Sequence, residues 1–187
     1  MTWAGDQVPN PGDTQLFQAF WALMRNEDIS SMTEQCEEYI KAYPDSAYVP
    51  AIRNFLGDQY RDRGLRQASL EQWNMAWEAA KLSKSGPGKR VADYAYARLT
   101  RMLLMLGRYE MLSVLFQENQ GRNMENPVLQ QMLLKTREGF SLAINHSETT
   151  YQCGVTALNE VARVVSGEYF DYRNLASPKE VICSLKA

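Results

Sequence analysis

Apolar residues recur every three or four positions through nearly all of residues 13–144, and Pro, Gly or Asn interrupts them at intervals. This spacing places apolar side chains on one face of an α-helix, whereas a half-buried strand would alternate at every second position. The pattern predicts about seven helices before residue 145, joined by short connections. We therefore expect an all-α fold.

The interruptions divide these helices into antiparallel hairpins. The first hairpin pairs residues 14–24 with a helix over about 30–43, which Pro44 ends. The second hairpin starts near Tyr48, breaks at Gly64 and continues to Ala80. The Gly- and Pro-containing stretch 84–89 is predicted to be a loop and is the clearest linker in the chain.

The remaining pattern predicts a third hairpin and a final helix. Its first helix covers about 91–106, a turn follows at Gly107, and the second helix includes Leu112 and Phe116. The pair Asn126-Pro127 then opens a helix that continues through Ile144, because proline suits the first helical turn.

Two of the hairpins share an internal sequence similarity. Placing Gly107 on Gly64 also aligns other turn and core positions: Leu99 with Leu56, Leu103 with Tyr60, and Phe116 with Trp73. The aromatic members of this set, together with Trp77, are expected to pack in the core and to have no binding role. The alternative is an irregular helical bundle in which these are ordinary core positions.

The series Leu56-Gly57, Tyr60, Gly64, Trp73 and Ala76 resembles the tetratricopeptide repeat, in which small and large residues alternate between two close helices. The resemblance implies a short solenoid of stacked hairpins, whose first helices line a concave groove for a protein or peptide partner. The candidate groove residues are the polar positions of those helices, which could equally form a solvated face: Arg53, Asn54, Gln59, Arg98 and Arg101.

Charge and hydropathy argue against a nucleic-acid partner and against a membrane span. Lys and Arg number 20 against 22 Asp and Glu, with no basic run, so a nucleic-acid partner is not expected. No uninterrupted apolar stretch approaches the ~18 residues of a membrane span, and no signal peptide is visible. We expect a soluble chain, cytoplasmic unless it is part of an exported protein. As a binding protein it would need no cofactor.

The cysteines do not form a recognisable metal or disulfide pattern. Cys36, Cys153 and Cys183 are an odd number without a C-x-x-C pair, and His146 is the one histidine. We therefore expect no metal site, and Cys36 is expected in the core. Cys153 is predicted to open a helix, where the backbone N–H groups and the helix dipole favour a thiolate.

The segment Tyr151-Gln-Cys-Gly-Val-Thr-Ala-Leu158 resembles the nucleophile motif of bacteriocin-processing, papain-like cysteine peptidases. Together with the helical repeats, it resembles the N-terminal region of large bacterial Rhs/YD-repeat proteins. The family places an oxyanion-hole Gln where this chain has Ser147, and its catalytic His follows the Cys, whereas His146 precedes Cys153. The resemblance therefore implies an incomplete peptidase domain.

These observations predict three regions: a disordered lead over 1–12, tetratricopeptide-like repeats over 13–144, and a partial papain-like segment with truncated helices over 145–187. The leading hypothesis is a protein-interaction scaffold that is not catalytic in this chain. The alternative is a cysteine peptidase or thiol acyl-transfer enzyme with Cys153 as nucleophile, its base supplied by His146 or by another chain. Self-association through the terminal hairpins is a third possibility.

Overall fold

The structure is a computed structural model, which describes residue 3, residues 9–24 and residues 29–145. These residues form seven α-helices and no strand, so the all-α prediction is confirmed. The helices are α1 (Pro11–Met24), α2 (Ile29–Ala42), α3 (Val49–Asp62), α4 (Arg66–Ala80), α5 (Gly86–Met105), α6 (Tyr109–Glu118) and α7 (Pro127–Asn145).

The chain divides into two compact units, Met1–Thr136 and Arg137–Ala187. Helices α1 to α6 and the first half of α7 belong to the first unit. All five residues predicted to line a groove lie in that unit as well. No helix in the described ranges combines the length and apolar character needed to cross a bilayer.

Helix α1 begins at Pro11, three residues before the predicted start and inside the stretch 1–12 that was predicted as a disordered lead. The reason is local: the Oδ1 atom of Asn10 accepts the backbone N–H of Asp13 at 2.7 Å, which caps the first turn. Pro11 suits that turn, because its missing N–H would have no intrahelical partner there. The helix therefore takes in the last two residues of the predicted lead.

The prediction of a loop over 84–89 was wrong beyond Ser85, because α5 begins at Gly86. Ser85 has extended backbone angles, and Pro87 occupies the first helical turn, where proline is tolerated. Lys89 then donates a hydrogen bond to Asp93 one turn later. The Gly and Pro content indicated a linker, but the same residues start the longest helix of the described chain.

The turn between α2 and α3 is fixed by a carboxylate from α1. Asp13 accepts hydrogen bonds from the hydroxyl of Ser46 at 2.6 Å and from the backbone N–H of Ala47 at 3.0 Å. Next to this contact, the rings of Phe17 and Tyr48 stack with centroids 4.0 Å apart. A polar clamp and an aromatic stack therefore attach α1 to the start of α3.

The turns that join α3 to α4 and α5 to α6 have the same geometry. Each contains a glycine in the left-handed region, Gly64 at φ 78° and Gly107 at φ 66°. In each turn the residue after this glycine donates its N–H to the carbonyl five residues earlier in the chain: Leu65 to Tyr60 at 2.8 Å, and Arg108 to Leu103 at 2.9 Å. Each pair of positions is 43 residues apart, so the sequence similarity corresponds to a repeated turn.

Candidate functional site

Helices α3 and α5, the first helices of their hairpins, line a groove of about 510 Å³ together with the start of α7. Helix α3 contributes Asn54, Phe55 and Asp58, which lie within an arc of about 100° around the helix axis. Its apolar surface is completed by Val91 from α5 and Leu129 from α7. The groove thus combines apolar side chains from three helices with several polar and charged side chains.

Asn54 is the buried polar side chain of this groove, at 7% exposure. Its Nδ2 donates to the carbonyl oxygen of Val91 at 3.0 Å, which ties α3 to α5. Since that carbonyl can only accept, the amide orientation is fixed and Oδ1 points away from it. Oδ1 is buried and has no hydrogen-bond partner among the described residues.

Asp58, Tyr94 and Arg98 form a connected cluster beside Asn54. The Tyr94 hydroxyl donates to Oδ2 of Asp58 and accepts from Nη2 of Arg98 at 2.9 Å. Nε of Arg98 lies 3.5 Å from Oδ1 of Asp58, and its guanidinium lies 5.0 Å from the centroid of the Tyr94 ring. Burial, followed by the hydrogen bond to Asp58, raises the pKa of Tyr94, so the phenol stays protonated at neutral pH.

The five predicted groove residues do not share one surface. Asn54 lines the groove, and Arg98 contacts two of its lining residues. Arg53 lies elsewhere: it donates to Oε1 of Gln72 on α4 at 2.9 Å, and burial lowers the pKa of its guanidinium. Gln59 is half-exposed and Arg101 is exposed; neither is a lining residue.

The placement of Arg53 follows from helical geometry. Arg53 and Asn54 are consecutive in α3, so their side chains diverge by about 100° around the helix axis. The sequence prediction selected polar residues without separating the faces, and it therefore missed Phe55 and Asp58. The spacing of Ala51, Phe55 and Asp58, at four and then three residues, is the signal that could have identified the groove face.

A second, apolar cavity of about 280 Å³ lies between α1 and α3 and shares Ala51 and Phe55 with the groove. Cys36 lines it and is buried, as expected for a core cysteine. Burial, with a smaller contribution from the charge of Glu37, raises the pKa of its thiol to about 12. Cys36 is therefore a protonated packing residue and not a nucleophile.

The connection between α6 and α7 contributes Glu125 and Asn126 to the groove, and a buried ion cluster holds it in place. Asp93, at 2% exposure, pairs with Nζ of Lys89 and with Nε of Arg122 at 2.7 Å. Arg122 also lies over the Trp77 ring, 4.9 Å from its centroid, and Lys89 donates to the carbonyl of Asn123. This cluster fixes the 119–126 connection against α4 and α5. No group of His, Cys, Asp or Glu with metal-binding geometry occurs in the described residues.

Cys153, His146 and Cys183 lie outside the described residues, and so does the segment that resembles a peptidase motif. The hypothesis of a nucleophile at Cys153 therefore stays a prediction. Comparisons with protein-family models, with curated proteins and with solved structures found no match to this chain.

Proposed function

We propose that the helical hairpins form a peptide-binding module, in which the groove between α3 and α5 receives an extended segment of a protein partner. The observation that carries this proposal is the Oδ1 atom of Asn54, a buried acceptor without a partner among the described residues, on a side chain that lines the groove. Leaving such an acceptor unpaired costs roughly 1–3 kcal/mol. Oδ1 has almost no exposed surface, so an N–H donor from a bound peptide would recover part of this free energy once the Asn54 side chain turns towards the groove.

The composition of the groove favours a peptide. An extended chain presents backbone N–H groups together with side chains that alternate in direction, which suits isolated acceptors beside apolar surface. Phe55, Val91 and Leu129 supply that apolar surface. The described lining includes no serine, cysteine or histidine, so it does not contain the hydroxyl or thiol nucleophile with a histidine base that the enzyme alternative requires.

We also infer that the α3–α4 and α5–α6 hairpins are tetratricopeptide-like units, with α1–α2 as an atypical terminal unit. The repeated turn at Gly64 and Gly107 supports this, because two equal turns 43 residues apart are expected of a duplicated hairpin. The close contact of Gly57 with Trp73 supports it further, since it pairs a small residue with a large one across the two helices.

For the C-terminal part we propose a segment of the bacteriocin-processing peptidase type, as in Rhs/YD-repeat proteins. The sequence segment around Cys153 supports this, and Ser147 in place of the oxyanion-hole Gln supports a non-catalytic role. A thiol enzyme is the alternative.

The binding proposal can be tested by filling the groove. Peptides selected from a displayed library of random dodecamers on the wild-type chain are measured by fluorescence anisotropy on Ala51→Trp and on the matched control Ala79→Trp. Ala51 lines the groove, whereas Ala79 is exposed on α4. We expect Ala51→Trp to abolish binding and Ala79→Trp to retain it. Failure to select any peptide, or equal binding to both variants, would contradict the proposal.

Thiol labelling separates the binding module from the enzyme alternative. Because the pKa of Cys36 is about 12, iodoacetamide at pH 6–9 reports on the other cysteines of the folded chain, and Cys183→Ser leaves Cys153. The binding module predicts an ordinary labelling pKa near ~8.5 or no labelling. A pKa well below that value, which rises in His146→Ala, would favour the enzyme.

A further inference from the structure

Helix α5 carries a row of cationic and aromatic side chains along one face. Arg90, Tyr94, Arg98 and Arg101 are separated by four, four and three residues, a spacing that keeps all of them on one stripe of the helix. Arg90 and Tyr94 line the groove, and Arg98 contacts Asp58 on its opposite wall. The stripe therefore begins in the groove lining at Arg90 and Tyr94 and continues along α5 beyond that lining to Arg101.

The middle of this stripe is paired and its two ends are not. Arg98 is engaged with Asp58 and Tyr94, as described above. Arg90 and Arg101 are exposed, and within the described part of the chain neither side chain forms an ion pair or a hydrogen bond. The two ends are thus available to anionic groups of a partner.

Helix α3 provides little acidic competition for these two cations. Asp58 pairs with Arg61 at 3.4 Å as well as with Arg98, and Asp62 pairs with Arg61 at 2.8 Å. Among the carboxylates that line the groove, Glu125 is the one without a partner in the described residues. It is exposed, so it offsets only part of the positive charge.

We infer that the partner of the groove is an acidic peptide with two carboxylates about five residues apart and an apolar residue between them; this inference rests on the function proposed above. Eleven residues separate Arg90 from Arg101, which is about 16 Å along a helix. An extended chain covers that distance in about five residues at ~3.3 Å each. Phe55 and Leu129, which line the groove together with Arg90, offer apolar surface to the residue in the middle.

The test uses the full chain and the displayed dodecamer library in low salt. We expect selected peptides to be enriched in Asp or Glu at positions i and i+5, and this enrichment to disappear with Arg90→Gln/Arg101→Gln. It should persist with the matched control Arg66→Gln, which removes the same charge from an exposed position on α4. Selected peptides without this acidic pattern, or with equal enrichment on the double variant, would overturn the inference while leaving a peptide-binding groove. If the wild-type chain selects no peptide at all, the peptide-binding function and the acidic partner are both refuted.

The affinity of one selected peptide for single variants tests the contribution of each charge separately. Each single substitution, Arg90→Gln or Arg101→Gln, should weaken binding about two- to fivefold, as for exposed charge pairs, and less so in high salt. Glu125→Gln should tighten binding by a similar factor, because it removes the unpaired acid of the lining. If Glu125→Gln weakens binding, the acidic character of the partner is refuted.

Discussion

In the α3–α4 hairpin the indole of Trp73 lies on the backbone of Gly57 and is 1% exposed, whereas in the α5–α6 hairpin the equivalent Phe116 is half-buried. A Cβ atom added to Gly57 would lie 2.3 Å from Nε1 of Trp73. The position equivalent to Gly57 is Thr100, whose hydroxyl donates to the carbonyl of Tyr96 within its own helix. One hairpin therefore closes through a small residue facing a large one, and the other lacks this pair.

The second helices of the two hairpins differ accordingly. Helix α4 buries six residues: Ser69, Leu70, Trp73, Ala76, Trp77 and Ala80. Helix α6 buries one, Leu112, and leaves Met111 and Val114 exposed. The two turns are nevertheless alike. The glycine turn therefore sets the connection between two helices, while the depth of packing depends on complementary side chains farther along them.

The largest effect on stability is expected for Gly57→Ala, which tests the close contact of the α3–α4 hairpin. The added methyl group would overlap the Trp73 indole, so we expect a loss of about 3 kcal/mol in the free energy of unfolding. Thr100→Ala at the equivalent position should cost about 1 kcal/mol, because it removes a buried methyl group and one hydrogen bond. Urea denaturation measures both. A cost for Gly57→Ala below that of Thr100→Ala would show that the hairpins close in the same way.

The next test of the difference in packing depth exchanges the large residues of the two hairpins, Trp73 and Phe116. Trp73→Phe should destabilise the chain by about 2 kcal/mol, since the fully buried indole leaves a void that its neighbours fill only in part. The reverse exchange, Phe116→Trp, should stay within about 0.5 kcal/mol because that site is half-exposed. Thermal and urea unfolding of both variants would decide. Equal costs would contradict the difference in packing depth.

The turn glycines test the similarity between the hairpins. Gly64→Ala and Gly107→Ala each force a side chain into the left-handed region; a Cβ at position 64 would meet no atom within 4 Å, and one at position 107 would meet only the Tyr109 ring, at 4.0 Å. We expect each to cost about 1 kcal/mol, with the two values within about 0.5 kcal/mol of each other. Clearly unequal values from urea denaturation would mean that the turns are not equivalent.

The smallest expected effect concerns Tyr60, whose equivalent in the α5–α6 hairpin is Leu103. Burial, followed by the hydrogen bond to Glu37, raises the pKa of Tyr60 from 10.0 to about 12. The folded-state pKa is higher than the unfolded one, so the folded state favours the protonated Tyr60 that donates to Glu37. The stability gained from this protonated form is complete below pH 10 and disappears as the pH rises towards 12. Urea midpoints should fall over this range, and less steeply in Tyr60→Phe. An identical slope in the variant would contradict the assignment.

Much of the fold was predictable from the sequence because its signals are local. The break at Gly64, the turn at Gly107 and the helix start at Asn126-Pro127 each depend on backbone preferences of one or two residues, and all three are confirmed. Asn126 also caps α7, with its Oδ1 accepting from the N–H of Val128 at 2.9 Å. The 84–89 stretch misled the prediction because proline and glycine are equally compatible with a loop and with a first helical turn.

The candidate groove was less predictable, since its lining depends on which face of each helix meets its neighbour. Asn54 was selected correctly as a polar residue of α3, but nothing local shows that its amide bonds Val91, 37 residues later. Arg53, its direct neighbour, was selected by the same criterion and packs on the opposite side with Gln72. Polarity identifies candidate residues, whereas the assignment of faces requires the packed helices.

The hydrophobic pattern was enough to predict the all-α fold of the described residues, about seven helices before residue 145, and two glycine turns 43 residues apart. These properties follow from hydrophobic periodicity and from the backbone freedom of single residues, which act over a few positions. Only the tertiary structure decided that Asn54 and Tyr94 share a groove, that Asp93 is buried between two cations, and that α4 packs more deeply than α6. Those properties depend on contacts between residues distant in the chain, which periodicity does not encode.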